Sequence, residues 1–132
     1  MPLTVDIVTP DRVVLSETAT SLSAPGVQGS FGLLSNHAPF MSELEPGDLR
    51  LVLLSGNEIH IAVTGGFLQI FDNKVTVLAD AAERSDEIDP ERARRALVRA
   101  QDELRSAQDA MSRVAAEEAL SRARARLRVA GE

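Results

Sequence analysis

The chain contains no cysteine, no tryptophan and no tyrosine, and its only aromatic rings are Phe31, Phe40, Phe67 and Phe71. Without cysteine there is no disulfide framework and no thiol chemistry, and a reducing compartment suits it. With so few rings, a core has to rest on Val, Ile and Leu. No apolar run is long enough to span a bilayer. The start, Met1-Pro2-Leu3-Thr4, has neither a basic n-region nor an apolar h-region, so no signal peptide is expected. The 132 residues suit one domain, or a small domain with an appendage, around a modest core.

Basic charge is scarce in the first part of the chain. Residues 1–84 carry four basic side chains (Arg12, Arg50, Lys74 and Arg84) against ten acids, a balance of 4 − 10 = −6. Residues 85–132 carry ten of each. A free nucleic-acid binder is usually basic overall, and this chain is acidic. Its last helical turns are nevertheless wholly basic, with Arg122, Arg124, Arg126 and Arg128 and no acid among them.

The first part reads as short strands punctuated by turns. Thr4–Val8 is β-rich and closes on Thr9-Pro10-Asp11; Val13–Leu15 and Ala19–Ala24 follow as separate strands, the second ending at Pro25-Gly26. Ser30–Leu34, Leu49–Leu54, Glu58–Val63, Phe67–Phe71 and Val75–Ala79 continue the pattern. Ser55-Gly56-Asn57 and Asp72-Asn73 are hairpin turns, and Gly65-Gly66 marks a bend or a close backbone approach. Such spacing predicts an all-β sandwich or barrel. His60 alternates with Ile59 and Ile61 and is expected on the solvent side; His37, in a loop beside Pro39, is expected to bond to backbone. Neither has a ligand-spaced partner in sequence, so neither is read as a metal or catalytic residue. There is no G-x-S-x-G, no phosphate-binding glycine loop and no paired-carboxylate motif, so no catalytic residues are assigned.

The pattern changes at Ile88-Asp89-Pro90-Glu91-Arg92-Ala93. Asp89 is suited to an N-cap, Pro90 to the first helical position and Glu91 to the positive end of the helix dipole. Beyond it, Ala93, Leu97, Ala100, Leu104, Ala107 and Met111 form one stripe of alternating four and three spacing, and Ala116, Leu120, Ala123, Leu127 and Ala130 form a second. Ser112 or Asp109 begins the second helix. No Pro or Gly occurs from Arg92 to Ala130, which leaves one long helix as the alternative, but two antiparallel helices cover each other's narrow stripes and are expected here. The fold expected is therefore α+β in two parts: an N-terminal sandwich over 1–84 and a C-terminal helical hairpin over 85–132. The Ala-rich seam buries little area, which predicts a hairpin of marginal stability, able to open.

On a helical wheel, Arg92 and Arg99 flank the first seam and Arg122 and Arg126 flank the second on the same side. In an antiparallel pair these four guanidinium groups are expected to converge near Asp89. Such a cluster suits a polyphosphate, which Arg forks bind bidentately. A solvated or acid-paired face is the alternative, and Asp89 serves equally as an N-cap alone.

Several stretches resemble the epsilon-subunit family of F-type ATP synthases: Val8-Thr9-Pro10-Asp11, Gly32-Leu33-Leu34-Ser35-Asn36-His37-Ala38-Pro39, Thr64-Gly65-Gly66-Phe67, and Val75-Thr76-Val77-Leu78-Ala79 running into Ala82-Glu83-Arg84. Their order and spacing span the full length. The resemblance implies a ten-stranded β-sandwich followed by a two-helix hairpin. It also implies a non-catalytic subunit of the central rotor stalk, whose sandwich docks on the gamma subunit and the membrane c-ring. The protein would then sit at the cytoplasmic face of the cell membrane, peripheral through its complex. The helices would inhibit ATP hydrolysis by extending into the catalytic head, where Arg122, Arg124, Arg126 and Arg128 would meet acidic segments of the beta subunits. Some bacterial members bind ATP on the folded hairpin, as a regulatory ligand, through a motif present here as Ile88-Asp89-Pro90-Glu91-Arg92-Ala93. Glu83, Arg99, Arg122 and Arg126 match further positions used there. Glu91 departs from the pattern by placing negative charge near the phosphates, and the motif does not fix whether Mg²⁺ accompanies the nucleotide. A free-standing sandwich adaptor gripping an acidic protein partner is the competing expectation.

Overall fold

The computed structural model describes residues 1–131. Nine strands come first: β1 (Leu3–Val8), β2 (Val13–Gly26), β3 (Gly29–Leu34), β4 (Phe40–Leu44), β5 (Gly47–Leu53), β6 (Glu58–Val63), β7 (Gly66–Phe71), β8 (Lys74–Ala79) and β9 (Ala82–Arg84). A 3₁₀ turn, Ser85–Glu87, leads to two helices, α1 (Pro90–Ser106) and α2 (Ala110–Ala130). The expected architecture, a many-stranded sandwich followed by a two-helix hairpin, is what the chain adopts.

The strand boundaries differ in one instructive way. The two strands expected at Val13–Leu15 and Ala19–Ala24 are one strand of 14 residues. Its first half pairs with β1, and its second half pairs with β3 and β5 and meets β4 at Gly26. Ser16-Glu17-Thr18 lacks an apolar signal because none of the three is buried: Ser16 and Glu17 are exposed and Thr18 is half-buried. There β1 pairs with it, β5 joins from Ala19 and β3 from Ser21, so its backbone is paired along its length. β4 and β9, which no expectation covered, are short and pair with β7 and β6. The path β1-β8-β7-β4-β2-β5-β6-β9, with β2 returning to β1, closes the two layers on each other. β1 and β8 run parallel in a sheet otherwise antiparallel.

Turn chemistry sets the register. Asp72 and Asn73 both take positive φ, at 51° and 62°, as a tight β7–β8 hairpin requires. Gly66 has φ +127°, and a Cβ there would lie 2.1 Å from the carbonyl oxygen of Leu78. The close approach expected of Gly65-Gly66 is thus real, and it lets β7 start flush against β8. The core between the layers is aliphatic, with Leu3, Val5, Ile7, Leu49, Leu51, Ile61, Leu68, Ile70, Val75 and Val77 almost wholly buried.

The hairpin folds back over β5 and β6. The covered face carries Ala62, with Asp48 and Glu83 as its cross-strand neighbours, and His60. Val129 and Ile88 bury themselves against Ala62. α2 therefore has two buried sides: Ala116, Leu120 and Ala123 toward α1, and Ala125 and Val129 on the opposite side. Met111, expected at the end of the first stripe, lies instead in the first turn of α2 and is 83% exposed. The break precedes it because Asp109 caps α2, accepting a bond from the Ser112 N–H at 2.7 Å. That bond holds the Asp109 carboxyl below the usual carboxylate range. α2 ends at Gly131 in the left-handed conformation, φ 86°. No helix is long and apolar enough to cross a membrane among the described residues.

Candidate anion-binding cleft

The stretch on which the sequence pattern turns is also the floor of a cleft. Asp89 caps α1 as expected, accepting bonds from the N–H groups of Glu91 (3.0 Å) and Arg92 (3.3 Å), with Pro90 at the first helical position. Ile88 is buried beneath the cap. Together with α1, α2, β9 and the 3₁₀ turn they enclose a cavity of about 420 Å³, lined by Glu83, Glu87, Ile88, Asp89, Arg92, Ala93, Arg95, Ala96, Arg99 and Arg126.

Every acid in this cleft has a partner. Glu83 Oε1 accepts a bond from Arg126 Nε at 2.6 Å. Glu87 is gripped by Arg12, at 2.9 and 3.0 Å, and accepts the Arg84 N–H at 3.0 Å. The Arg12 bond and then the Arg84 N–H hold the Glu87 carboxyl below its ordinary range. Asp89 is satisfied by the helix it caps. Glu91, whose charge departs from the family pattern, does not line the cleft. It forms an i,i+3 pair with Arg94, which lowers its pKa.

Three of the four convergent arginines are where they were expected: Arg92, Arg99 and Arg126 share the cleft. Arg122 does not. It lines a second cleft of about 390 Å³ beside Glu43, Glu45, Asp80 and Glu118, against the loops that hold Pro46 and Gly65. The wheel assumed one apolar stripe on α2. With Ala125 and Val129 also buried, the sandwich-facing side of the helix lies roughly opposite the seam. Arg122, about 40° nearer that side than Arg126 and one turn earlier, faces the sandwich instead. Arg124 and Arg128 are exposed and line a third cleft with Glu45, Glu117 and Leu120.

Sequence reasoning missed Arg95 and Glu87. Arg95 sits three residues after Arg92, on the same face of α1, a signal that was present but lay outside the recognised motif. Glu87 is placed by the neighbouring Arg84 N–H and by Arg12, which is 75 residues away and brought there by the fold. It also missed the surroundings of His60, which is half-buried and bonds through Nδ1 to Asp48 Oδ2 (2.9 Å) and through Nε2 to Glu58 Oε2 (3.2 Å). His60 lies off the core as expected, opposite the buried Ile61, and its side chain keeps 35% exposure. His37 does bond to backbone, its Nδ1 lying 2.7 Å from the Ala38 carbonyl.

The chain is a closed β-sandwich with a helical hairpin along one flank and an arginine-lined cleft at their junction. Family models match nearly all of it: the β-sandwich domain of the ATP synthase delta/epsilon chain over residues 2–85, and the long alpha-helix domain of the same chain over residues 86–131. The chain belongs to the ATP synthase delta/epsilon family. It is 53% identical to the ATP synthase epsilon chain of Anaeromyxobacter dehalogenans over 132 residues, covering 99% of each. It is 46% identical to that of Nitratidesulfovibrio vulgaris, covering 98% of this chain and 96% of the other. Among solved structures it resembles a chain of the Euglena gracilis mitochondrial ATP synthase OSCP/F1/c-ring assembly, with TM-score 0.87 and 25% identity, covering 99% of this chain and 82% of that one. A chain of the Tetrahymena thermophila central stalk and c-ring shares the fold, with TM-score 0.65 and 19% identity, covering 97% of this chain and 96% of the other.

Proposed function

We propose that the chain is a central-stalk subunit that couples the catalytic head of a proton-translocating ATP synthase to the membrane rotor. Its hairpin restrains ATP hydrolysis when extended and is held folded by bound ATP. The observation that carries the ligand is the charge balance of the cleft. Its acids are all partnered, whereas Arg92, Arg95 and Arg99 form no ion pair or side-chain hydrogen bond among the described residues. Three unmatched guanidinium groups on one face attract a polyanion and fit its oxygens as forks. Arg92, Arg99 and Arg126 hold phosphates in this reading. Glu83 pairs with Arg126 until the ligand draws on it, and Ile88, Asp89 and Ala93 form the floor. Family membership favours this reading over a free-standing adaptor.

The switch rests on how little holds the hairpin down. Its buried positions are Ala93 and Ala100 in α1 and Ala116, Leu120, Ala123, Ala125 and Val129 in α2. Only Leu120 and Val129 are larger than alanine, each contributing roughly 1.5–3 kcal/mol. A ligand that binds only the folded arrangement shifts such an equilibrium by its differential affinity. Extended, α2 would present Arg122, Arg124, Arg126 and Arg128 to acidic segments of beta subunits. Docking on a gamma-type partner falls to the sandwich, where Met41, Phe67, Phe71 and Leu78 stand exposed on one face of β4, β7 and β8. Apolar patches of this kind mark interaction sites.

Titrating ATP onto the isolated chain tests the ligand. Saturable binding that is lost in Arg92→Ala and in Arg126→Ala is the expected result. No saturation at millimolar ATP, or undiminished binding by both variants, removes the effector role. Co-purification with a gamma-type coiled coil tests the placement in the stalk.

A further inference from the structure

We infer that Arg12 is a clasp that holds the connector between sandwich and hairpin, residues 82–87, on the sandwich, so that the hairpin parts at Ile88-Asp89 while the connector stays in place. This rests on the reading above that the hairpin opens, and it gives a role to the Thr9-Pro10-Asp11 turn. Thr9 Oγ1 accepts the N–H groups of Asp11 and Arg12, both at 3.3 Å, and the Thr9 N–H donates to the Arg12 carbonyl at 2.9 Å. From this closed turn the Arg12 side chain reaches the connector. Its guanidinium grips both carboxylate oxygens of Glu87, at 2.9 and 3.0 Å, and Nη2 also donates to the Ala82 carbonyl at 3.4 Å. One side chain thus touches both ends of the connector.

Little else holds the connector. β9 is three residues long and pairs with β6. Beyond that pairing the sandwich reaches it through Arg12 and through Arg84, whose Nη2 donates to the Val14 carbonyl at 3.1 Å. A two-pronged Arg–carboxylate contact is the geometry in which a surface ion pair contributes, where single contacts contribute little. Past Glu87 the ties to the sandwich run out. Ile88 and Asp89 are extended, with φ −83° and −89°, between the 3₁₀ turn and α1. The Asp89 carboxylate bonds within its own helix. Ile88 touches Ala62 but shares that contact with Val129 of α2. α1 packs on α2, and α2 is the helix that lies on β5 and β6. Once α2 lifts, Ile88 and Asp89 are where the backbone is free to turn. A clasped connector also keeps the edge of β6 covered, and a bare strand edge invites pairing with other chains.

The chain has no cysteine, so introduced pairs of cysteines carry spin labels without background. Pulsed dipolar spectroscopy on the full chain measures two distances. The connector distance runs from Lys74→Cys in β8 to Asp86→Cys, and the tip distance from Lys74→Cys to Gln108→Cys between the helices. Val129→Asp puts a charge into the contact with Ala62 and populates the lifted state. There the tip distribution is expected to broaden, while the connector distribution stays as narrow as in the parent. Adding Arg12→Gln broadens the connector distribution as well. Adding Arg12→Lys instead, which keeps one charged bond, broadens it less. A connector distribution that broadens in Val129→Asp with Arg12 intact overturns the clasp, because the connector then leaves with the hairpin. One that stays narrow after Arg12→Gln overturns it too, because the β6 pairing then suffices. In both cases a broad tip distribution leaves the opening of the hairpin standing. A tip distribution that stays narrow in Val129→Asp removes the opening itself, and both readings fall.

Discussion

Arg126 and Glu83 meet at 2.6 Å across 43 residues of sequence, one on the last turns of α2 and the other on the edge strand β9. Both side chains are about one-third exposed, at 29% and 34%, so the pair is partly screened. It is still the bond that pins the basic end of the hairpin to the sandwich, next to the small apolar contact of Val129 with Ala62. A double-mutant cycle on Glu83→Gln and Arg126→Gln, read by hydrogen exchange of α2 amides, should give a coupling of about 1 kcal/mol. Glu83→Gln alone should act in opposite directions on two readouts. It loosens α2 in the absence of ligand, yet strengthens polyphosphate binding, because it removes a negative charge from the cleft and releases Arg126. Loss of both properties together would show that Glu83 contacts the ligand itself.

Arg122 divides the sequence expectation from the geometry. It faces Glu43, Glu45, Asp80 and Glu118, not the cleft of Arg92 and Arg99. Arg122→Gln should therefore leave ATP affinity within about twofold, where Arg92→Gln costs about tenfold. It should instead ease the release of α2 from the sandwich, by an amount that shrinks as salt is raised. Titration calorimetry of the two variants, with α2 exchange rates measured at low and high salt, decides the matter.

The two-part architecture was legible because its signals are local. Alternation and turns such as Asp72-Asn73 mark the sandwich, and the Asp89-Pro90 start marks the hairpin. Three arginines of the cleft were legible for the same reason, since spacing along one helix fixes a face. What was not legible came from tertiary cover. The merging of β2 depends on β1, which pairs with residues 16–18, and on β5, which joins from Ala19. The facing of Arg122 depends on Ala125 and Val129, whose burial against the sandwich no single-stripe pattern of α2 encodes. The partners of His60 were not legible because Asp48 reaches it from the neighbouring strand β5, a pairing that only the sheet register brings about.

His60 gives the fold a pH dependence whose sign is fixed by its partners. Partial burial pulls its pKa down, but the bonds to Asp48 and then Glu58 outweigh this, and the folded value lies above the ordinary 6.5. A raised folded value means that protonated His60 is favoured in the native state. The contribution is fully present below about pH 6.5 and is lost as pH rises through the folded value. The parent should thus lose stability relative to His60→Gln between about pH 6 and pH 8. Urea midpoints of the two proteins across that range measure it, and parallel curves would refute it. Arg50, which pairs with Glu58 at 3.2 Å, competes for one of the carboxylates, so Arg50→Gln should enlarge the effect.

Gly66 and Gly29 have nearly the same backbone, φ +127° and +121°, in different surroundings. A Cβ on Gly29 meets nothing within 4 Å, whereas one on Gly66 would lie 2.1 Å from Leu78 O and 2.8 Å from Ala79 Cα. Alanine at either site incurs the strain of a left-handed residue, of order 1–3 kcal/mol. Only at Gly66 must the β7–β8 pairing also part. Gly29→Ala should fold with a modestly lowered melting temperature. Gly66→Ala should be less stable by at least a further 1 kcal/mol, and should disturb the register that aligns Phe67 with Leu78 on the exposed apolar face. Its association with a gamma-type partner should weaken accordingly, while Gly29→Ala associates normally. Equal stability of the two variants would show that the strands part there at no cost, and that the glycine serves conformation alone.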